Sequence, residues 1–280
     1  MHLNPLTWLC VNAASGSNDA AAVRGVTQAL EAAGAPPRRV LDIPAHGLPT
    51  RRELTEAGVG LLAIFTGDGT VNAVVTTLEG WGGKILVLPG GTANLLARAL
   101  HGERDTAQIL ADRSALHPVR RPCIRTSRGT ALIELLAGPG ATWSDVREDL
   151  REGNLPGVAA SSLSAIRQSM AGPMVTIAEP PLGRREGYAG VRLEVGEEDM
   201  LVEGYGSETI ADYLLHGLAL LRRDYRQGPH EDLGAVREVL CRSHGGAPIE
   251  LMIDGERQTG GAEERFSLAR LAVDLLASAR

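Results

Sequence analysis

The chain has 280 residues, enough for two domains of ordinary size. Hydrophobic residues make up 44% of it and charged residues 22%, as in soluble globular proteins, and no run approaches the roughly 18 consecutive apolar residues of a membrane-spanning helix. The net charge of -6 argues against a nucleic-acid partner. Residues 1–12 lack the basic region and the long apolar core of a signal peptide, so we expect a cytoplasmic protein.

The first part of the chain predicts strands that alternate with helices. The strands are continuous apolar runs, which indicates a parallel sheet that is covered on both faces. We expect the first helix to be capped by Ser17 or Asn18 and to end at Gly34. In chain order the predicted strands are TWLCVN, RRVLDIP, GLLAIFT and KILVLP, and the helices are NDAAAVRGVTQALEAAG, RRELTEAG, VNAVVTTLEG, ANLLARALHG and DTAQILADR.

The pattern changes near LHPVRRPCIRT, after which strands dominate. Strands without the β-α rhythm predict an antiparallel, sandwich-like domain. The predicted fold is therefore an α/β domain with a parallel sheet, residues 1–118, followed by a mainly antiparallel β-rich domain, residues 119–280. The predicted strands are PCIRTS, ALIELLA, MVTIAE, YAGVRLEVG, MLVEGYG, AVREVLCRS, IELMID and RFSLARLAV, and the helices are WSDVREDLREG, SSLSAIRQSM and TIADYLLHGLALLRRDY.

The cysteines and the lysine exclude two classes of site. Cys10, Cys123 and Cys241 are far apart and odd in number, so they predict buried free thiols and not a disulfide framework or a zinc site. Lys84 is the only lysine, and Ile85 follows it. A Walker A loop needs Gly-Lys-Ser/Thr, so the chain has no such loop.

Three glycine-bearing turns follow three strands of the first domain: NAASGSN after the first, TGDGT after the third and PGGTAN after the fourth. Ligands of doubly wound sheets bind at the carboxyl ends of the strands. Glycines there let the backbone approach a phosphate, and helix N-termini add unpaired N–H groups. Any one turn could simply close a tight connection. Three at one edge predict a polyphosphate site, to which Ser15, Thr70, Thr92 and Asn94 add side-chain donors.

Asp68 lies between two of these glycines, at the predicted start of a helix. A carboxylate at that position can be an N-cap, which is its commoner role. A carboxylate next to a phosphate is repelled by it unless a cation lies between them, or else the carboxylate is there to remove a proton. Phosphoryl transfer needs both a divalent ion on the phosphates and a group that orients or deprotonates the attacking hydroxyl.

GDGTVN followed by LPGGTANLLARAL resembles the diacylglycerol kinase catalytic domain family. That family includes bacterial lipid kinases and sphingosine kinases and is distantly related to NAD kinases. VNAASGS resembles the family's first turn, LLAGPGA the small-residue turn that opens its second domain, and LMIDGE the Asp-Gly-Glu found late in the lipid kinases. The resemblance spans nearly the whole chain and implies a nucleotide-binding domain followed by a substrate domain.

The resemblance also implies a role for each residue that matches the family's motifs. Asp68 and Glu256 would be catalytic, and Asp254 would be associated with the metal. The nucleotide would be bound by Asn12, Ser15, Gly16, Gly67, Gly69, Thr70, Gly90, Gly91, Thr92 and Asn94. The implied activity is transfer of the γ-phosphate of ATP, with Mg²⁺, to a lipid hydroxyl of diacylglycerol or sphingoid type.

The resemblance implies partners as well. Family members often dimerise, and a lipid substrate implies contact with the inner surface of the membrane. The predicted helix TIADYLLHGLALLRRDY has Arg222, Arg223 and Arg226 near its end. These arginines complement the helix dipole, and they could also contact anionic headgroups.

Four positions depart from the family's pattern. Ala13 replaces the usual proline of the first turn, Thr66 the usual first glycine of GGDGT, Ala73 a frequent glutamate and Thr142 a frequent aspartate. A β-branched residue at position 66 must keep a negative φ. The departures leave open a catalytically degenerate nucleotide- or lipid-binding protein. A kinase of a soluble acceptor such as NAD is disfavoured by the pairing of GDGT with PGGTANLLA.

Overall fold

The computed structural model describes residues 5–12, 19–139, 172–206 and 230–278. The chain forms two compact units. The first comprises Met1–Arg121 and Arg270–Arg280, and the second comprises Pro122–Ala269.

The first unit is built on a six-stranded sheet. Its strands are β1 Leu6–Val11, β2 Pro37–Asp42, β3 Val59–Thr66, β4 Lys84–Pro89, β5 His117–Val119 and β17 Asp274–Ala277. Their order is β2-β1-β3-β4-β17-β5. The first five strands of this order run parallel to their neighbours, and β5 is antiparallel to β17. Residues of β3 are buried on both faces of the sheet, as the continuous apolar run predicted.

Six described helices accompany this sheet. They are α1 Ala20–Ala32, α2 Ile43–His46, α3 Arg51–Glu56, α4 Asp68–Thr77, α5 Leu95–His101 and α6 Thr106–Ala111. The prediction that Ser17 or Asn18 caps α1 was wrong, because the Asp19 carboxylate accepts a 2.8 Å hydrogen bond from Ala22 N–H. Gly34 follows the end of α1 with φ 72, where a residue without a Cβ is favoured.

The last strand, β17, returns to the first unit, which differs from the predicted single boundary near residue 118. It pairs with both β4 and β5 and lies between them in the sheet. The preceding loop is held by bonds from Leu271 N–H to Arg121 C=O and from Gly80 N–H to Ala272 C=O. The run RFSLARLAV was predicted as one strand, but its pattern cannot show that the chain changes sheets within it.

The C-terminal strand is also tied to helix α5. The Nδ1 atom of His101 lies 2.9 Å from the Ser278 hydroxyl, and Ser278 N–H donates to Leu100 C=O at 3.1 Å. Burial lowers the pKa of His101 to about 4, so this imidazole is neutral near pH 7.

The second unit is built from short strands. They are β6 Pro122–Arg125, β7 Thr130–Ala131, β8 Glu134–Ala137, β9 Val175–Glu179, β10 Gly190–Val195, β11 Met200–Tyr205, β12 Glu231–Val236, β13 Glu238–Ser243, β14 Glu250–Ile253, β15 Glu256–Thr259 and β16 Glu263–Arg270. The three helices predicted for this half lie outside the described residues. Among the helices of the described ranges, none is long and apolar enough to cross a membrane.

These strands form two sheets around one core. Their orders are β12-β11-β10-β8-β14-β15 and β7-β6-β16-β13-β9. Residues of both sheets share a buried cluster that contains Leu193, Val202, Tyr188, Val239 and Phe266. The paired strands are antiparallel, which confirms the predicted fold class.

Leu275 tests the contribution of the returning strand. It is fully buried in β17, so Leu275→Ala should lower the free energy of unfolding by about 3 kcal/mol through lost burial and a new cavity. Leu48→Ala is the matched control, because Leu48 is 37% exposed, and we expect a change within about 0.5 kcal/mol. Denaturant unfolding of both variants measures the difference. Equal effects would show that β17 does not stabilise the sheet.

Candidate functional site

The strands that precede the three predicted turns end at one edge of the first unit's sheet, because β1, β3 and β4 are adjacent and parallel. The register places Val11 beside Phe65 and Thr66 beside Pro89. The sheet topology therefore brings together sequence segments that are more than 70 residues apart.

One side-chain hydrogen bond joins the first turn to the second. The Asn12 amide donates from Nδ2 to the Thr70 hydroxyl oxygen at 3.1 Å. Both side chains are half-buried. Ser15 and Gly16, which were also predicted to bind nucleotide, lie outside the described residues.

The second turn places Asp68 at the first residue of α4. Gly67 is the N-cap, with φ -75 and ψ 164. The Asp68 carboxylate accepts a 2.6 Å hydrogen bond from Leu95 N–H, the first residue of α5. Asp68 therefore caps α5, the helix that follows the third glycine turn. Gly69 and Thr70 lie in the first helical turn of α4, where N–H groups lack intrahelical acceptors.

The third turn is closed by Asn94. Gly91 N–H donates to Asn94 Oδ1 at 2.7 Å, and Asn94 Nδ2 donates back to Gly91 C=O at 2.8 Å. Asn94 has a left-handed backbone, with φ 52 and ψ 43. Asparagine tolerates this conformation better than most residues, because its side chain bonds locally. The side-chain amide of Asn94 thus braces the turn, and Thr92 lies exposed between the two bonded residues.

The glycines of the second and third turns differ in what requires them. A Cβ on Gly90 would lie 2.6 Å from the backbone of Phe65 and Thr66, and one on Gly91 would lie 2.7 Å from the Cα of Gly67. Those two positions need glycine because two backbones touch. At Gly67, φ is ordinary for any residue, and no atom of the described residues outside its chain neighbours lies within 4 Å of the point that a Cβ would occupy.

The departures at positions 66 and 73 fit the structure locally. Thr66 is the last residue of β3, is buried and is not among the residues with positive φ, as the sequence required. Ala73 lies in α4. Ala13 and Thr142 lie outside the described residues.

The second unit places Asp254 and Glu256 on a two-residue hairpin between β14 and β15. Asp254 has φ 47 and Gly255 has φ 92, as in a type I′ turn. The Asp254 carboxylate is buried and accepts three backbone N–H groups, from Leu132, Ile133 and Glu134. This gives Asp254 a structural role, and its association with a metal stays a prediction. Glu256 is exposed.

Sequence reasoning missed a buried ion cluster on β8, β10 and β11. The Arg192 guanidinium contacts the carboxylates of Glu134, Glu203 and Glu194. Burial alone would lower the pKa of Arg192, but the charge and hydrogen bonds of these glutamates raise it above its usual value. Burial raises the pKa of Glu203, but hydrogen bonds from Tyr205 and Arg192 outweigh it and lower the pKa. The alternation of Arg192 and Glu194 along one strand was the available signal.

No group of three histidine, cysteine, aspartate or glutamate side chains clusters as a metal cage within the described ranges. Mg²⁺ in phosphoryl-transfer sites is commonly held by one or two carboxylates together with the substrate's phosphates. Asp68, beside the glycine turns, fits that arrangement. Cys10, Cys123 and Cys241 are buried thiols that form no disulfide with one another, as predicted.

Comparison with known proteins agrees with this geometry. Residues 7–121 match the family model of the diacylglycerol kinase catalytic domain, which confirms the resemblance drawn from the turns. No curated protein sequence matches the chain significantly.

Solved structures share the fold across both units. A diacylglycerol kinase from Bacillus anthracis str. Sterne is 16% identical, with a TM-score of 0.62, over 98% of this chain and 97% of that chain. A second protein from that strain, described as a putative diacylglycerol kinase, is 17% identical with a TM-score of 0.64, over 98% of this chain and 95% of that chain. At these identities the likeness shows the fold.

Asn94 tests the brace of the third turn. Asn94→Ala removes both bonds to Gly91 and puts a Cβ into a left-handed backbone, whereas Asn94→Gly removes the bonds without that strain. We expect the alanine variant to be less stable than the glycine variant by about 1 kcal/mol. Thermal and denaturant unfolding of the two variants measure this difference. An alanine variant that equals the parent would show that the brace contributes nothing.

Proposed function

We propose that this chain, whose residues 7–121 match the diacylglycerol kinase catalytic domain, is an ATP-dependent lipid kinase. The geometry of Gly67 carries the proposal. Neither its backbone nor the packing of described residues requires a glycine there, whereas Gly90 and Gly91 are required by close backbone contact. The space that a Cβ would fill lies at the N-terminus of the ten-residue helix α4, where N–H groups and the helix dipole favour a phosphate.

Asp68 supplies the chemistry in this proposal. The hydroxyl oxygen of the acceptor attacks the γ-phosphorus of ATP, the bond to the β,γ-bridging oxygen breaks, and ADP leaves. The hydroxyl proton passes to a carboxylate, for which Asp68 is our assignment. The bond from Leu95 N–H fixes the orientation of that carboxylate before substrate binds.

A divalent cation would supply neutralisation of the phosphate charge beside Asp68. The chain's own residues position the nucleotide: the turn from Gly67 to Thr70 offers backbone N–H groups at the start of α4, the turn from Gly90 to Asn94 lies beside it, and Asn12 holds Thr70. Glu256 stays the predicted acid–base carboxylate of the second unit.

The acceptor in this proposal is the hydroxyl of diacylglycerol or a sphingoid base. The names of the structural relatives support the first of these. Only 3% of the residues are aromatic, so a pocket for the acceptor would be lined by aliphatic side chains, which suit an acyl chain.

Gly67→Ala tests whether position 67 requires glycine for phosphate binding or for the stability of the fold. We expect ATP affinity to fall at least ~10-fold, which is about 1.4 kcal/mol, because the bound phosphate would meet the new methyl group, while the free energy of unfolding falls by no more than about 1 kcal/mol, the usual cost of alanine at an N-cap. Gly91→Ala is the contrasting variant, and it should lower stability because its Cβ meets the Gly67 backbone. Calorimetric titration with Mg²⁺-ATP and denaturant unfolding measure the two effects. Unchanged ATP affinity in Gly67→Ala would remove the argument for a phosphate at this turn.

Asp68→Asn tests the chemical step. Asparagine keeps an oxygen for Leu95 N–H, so the fold should remain, whereas turnover should fall ~10²–10⁴-fold, the usual contribution of a general base. The assay is transfer of radiolabelled γ-phosphate from Mg²⁺-ATP to a mixed lipid extract, with the product identified by mass.

Asp105→Asn is the matched control, because Asp105 also caps a helix in the first unit, through Gln108 N–H. It should leave turnover at the parent level. An Asp68→Asn enzyme as active as the parent would contradict the role of Asp68. ATP binding without any labelled lipid would favour a degenerate binder or a soluble acceptor.

A further inference from the structure

In the second unit, a two-residue Asp-Gly turn joins the short strands β14 and β15. Ile253 and Glu256 are a cross-strand pair, and only Asp254 and Gly255 lie between them. Asp254 and Asn94 are the two non-glycine residues with positive φ in the described ranges. Glu256 is the first residue of β15, so its backbone position is set directly by this turn.

The Asp254 carboxylate ties the turn to the segment that leads into β8. Its Oδ2 accepts from Leu132 N–H at 2.7 Å, and its Oδ1 accepts from Ile133 N–H at 2.9 Å and from Glu134 N–H at 3.0 Å. Asp254 N–H also donates to Glu134 C=O at 3.0 Å. Hydrogen bonds to an ionised acceptor are roughly twice as strong as neutral ones, so the three bonds to the carboxylate, together with the backbone bond, fix the turn against the segment that leads into β8.

The strand that receives the turn is itself held by buried charge. Glu134 Oε2 accepts from Arg192 Nε at 3.0 Å and from Arg192 Nη2 at 2.8 Å, and Arg192 Nη1 donates to Glu203 at 2.9 Å. Arg192 and Glu134 are 5% and 7% exposed. A buried pair of this kind is costly to break, because either partner alone would be an uncompensated charge. The anchor of the turn is therefore rigid.

Glu256 contrasts with its neighbour on the turn. Its side chain is exposed, and it makes no hydrogen bond or ion pair with any part of the chain that the structure describes. Its backbone is fixed while its carboxylate is left for another molecule. A carboxylate that only stabilised the hairpin would be expected to pair with a neighbouring group.

We propose that Asp254 is a positioning residue, whose carboxylate fixes the turn that presents Glu256, and that it does not bind the metal. The part of this inference that concerns catalysis rests on the proposed kinase function. The part that concerns the anchor rests on the hydrogen bonds alone, and the two parts can be tested separately.

Asp254→Asn is the main test. Asparagine accepts a left-handed backbone, but its NH₂ group must face backbone N–H donors that now contact an oxygen. We expect faster hydrogen exchange at the amides of Leu132, Ile133 and Glu134, and a kcat lowered ~10-fold or more through misplacement of Glu256. The pH at which kcat is half-maximal and the Mg²⁺ concentration for half-maximal activity should stay at the parent values.

The opposite pattern would overturn the proposal. A higher Mg²⁺ requirement with parent-like exchange at these amides would make Asp254 a metal-associated residue. Parent-like exchange with parent-like kcat would show that the anchor is dispensable. Should Asp254→Asn fail to fold, Glu134→Gln loosens the same anchor from its other side, because it removes the charge that holds Arg192, and it should reproduce the exchange pattern more weakly.

Two further variants separate the anchor from the chemistry. Glu256→Gln should lower turnover ~10²-fold or more, as expected for an acid–base carboxylate, with parent-like exchange at residues 132–134. A fully active Glu256→Gln enzyme would refute the role of Glu256 in the proposed function and leave the anchor to be judged by exchange. Glu198→Gln is the matched control, because it makes the same change at an exposed glutamate of the second unit, and it should change neither exchange at these amides nor kcat. If the parent protein has no kinase activity, two measurements still test whether Asp254 anchors the turn. They are the exchange rates of these amides, which Asp254→Asn should raise, and the backbone order parameter of Glu256, which it should lower.

Discussion

The close contact between two backbones is the constraint on which the candidate site depends. The turns after β3 and β4 touch where Gly90 and Gly91 meet Phe65, Thr66 and Gly67, at distances that no side chain would permit. Since this contact joins main chains, it fixes the relation of the two turns whatever their side chains are. The bond from Leu95 N–H to Asp68 then adds a polar link between the two helices that begin there. The result is a carboxylate held in one orientation beside a glycine whose Cβ position no described residue outside its chain neighbours approaches.

In the second unit, buried charged side chains hold the strand that contacts the Asp254 turn. Its two sheets share an apolar core, but the strand that receives the Asp254 turn is fixed by Arg192 and its carboxylate partners. Burying these ions costs solvation free energy, which their mutual attraction and hydrogen bonds offset. Such a cluster is a weak source of stability, and we infer that it fixes the register of these strands, because any shift of one strand would leave a charge unpaired. The hairpin at Asp254 and Gly255 is positioned by the same strand, because β14 pairs with β8.

Much of the fold followed from local sequence patterns. KILVLP corresponds to β4 without error, and the other predicted strands of the first domain deviate by one or two residues at their ends. The predictions failed where the pattern carries no information about partners. The run from Arg265 to Val273 reads as one strand, although the chain leaves the second unit near Arg270 and adds β17 to the first. The strand ERQT of β15 was also missed, because all its residues are exposed and no apolar alternation marks it.

The sequence by itself determined the two classes of sheet and the type of residue in each of the three turns, because periodicity and turn chemistry are local properties. It also indicated Asp68, since an aspartate between glycines is conspicuous in any phosphate-binding turn. Only the tertiary structure decided what each residue contacts. It showed that Asn94 braces its own turn, that Gly91 is required by Gly67, and that Asp254 bonds to amides more than 100 residues away. Hydrogen bonds depend on distances of a few tenths of an ångström between segments remote in the chain, and those distances exist only once the sheets have assembled.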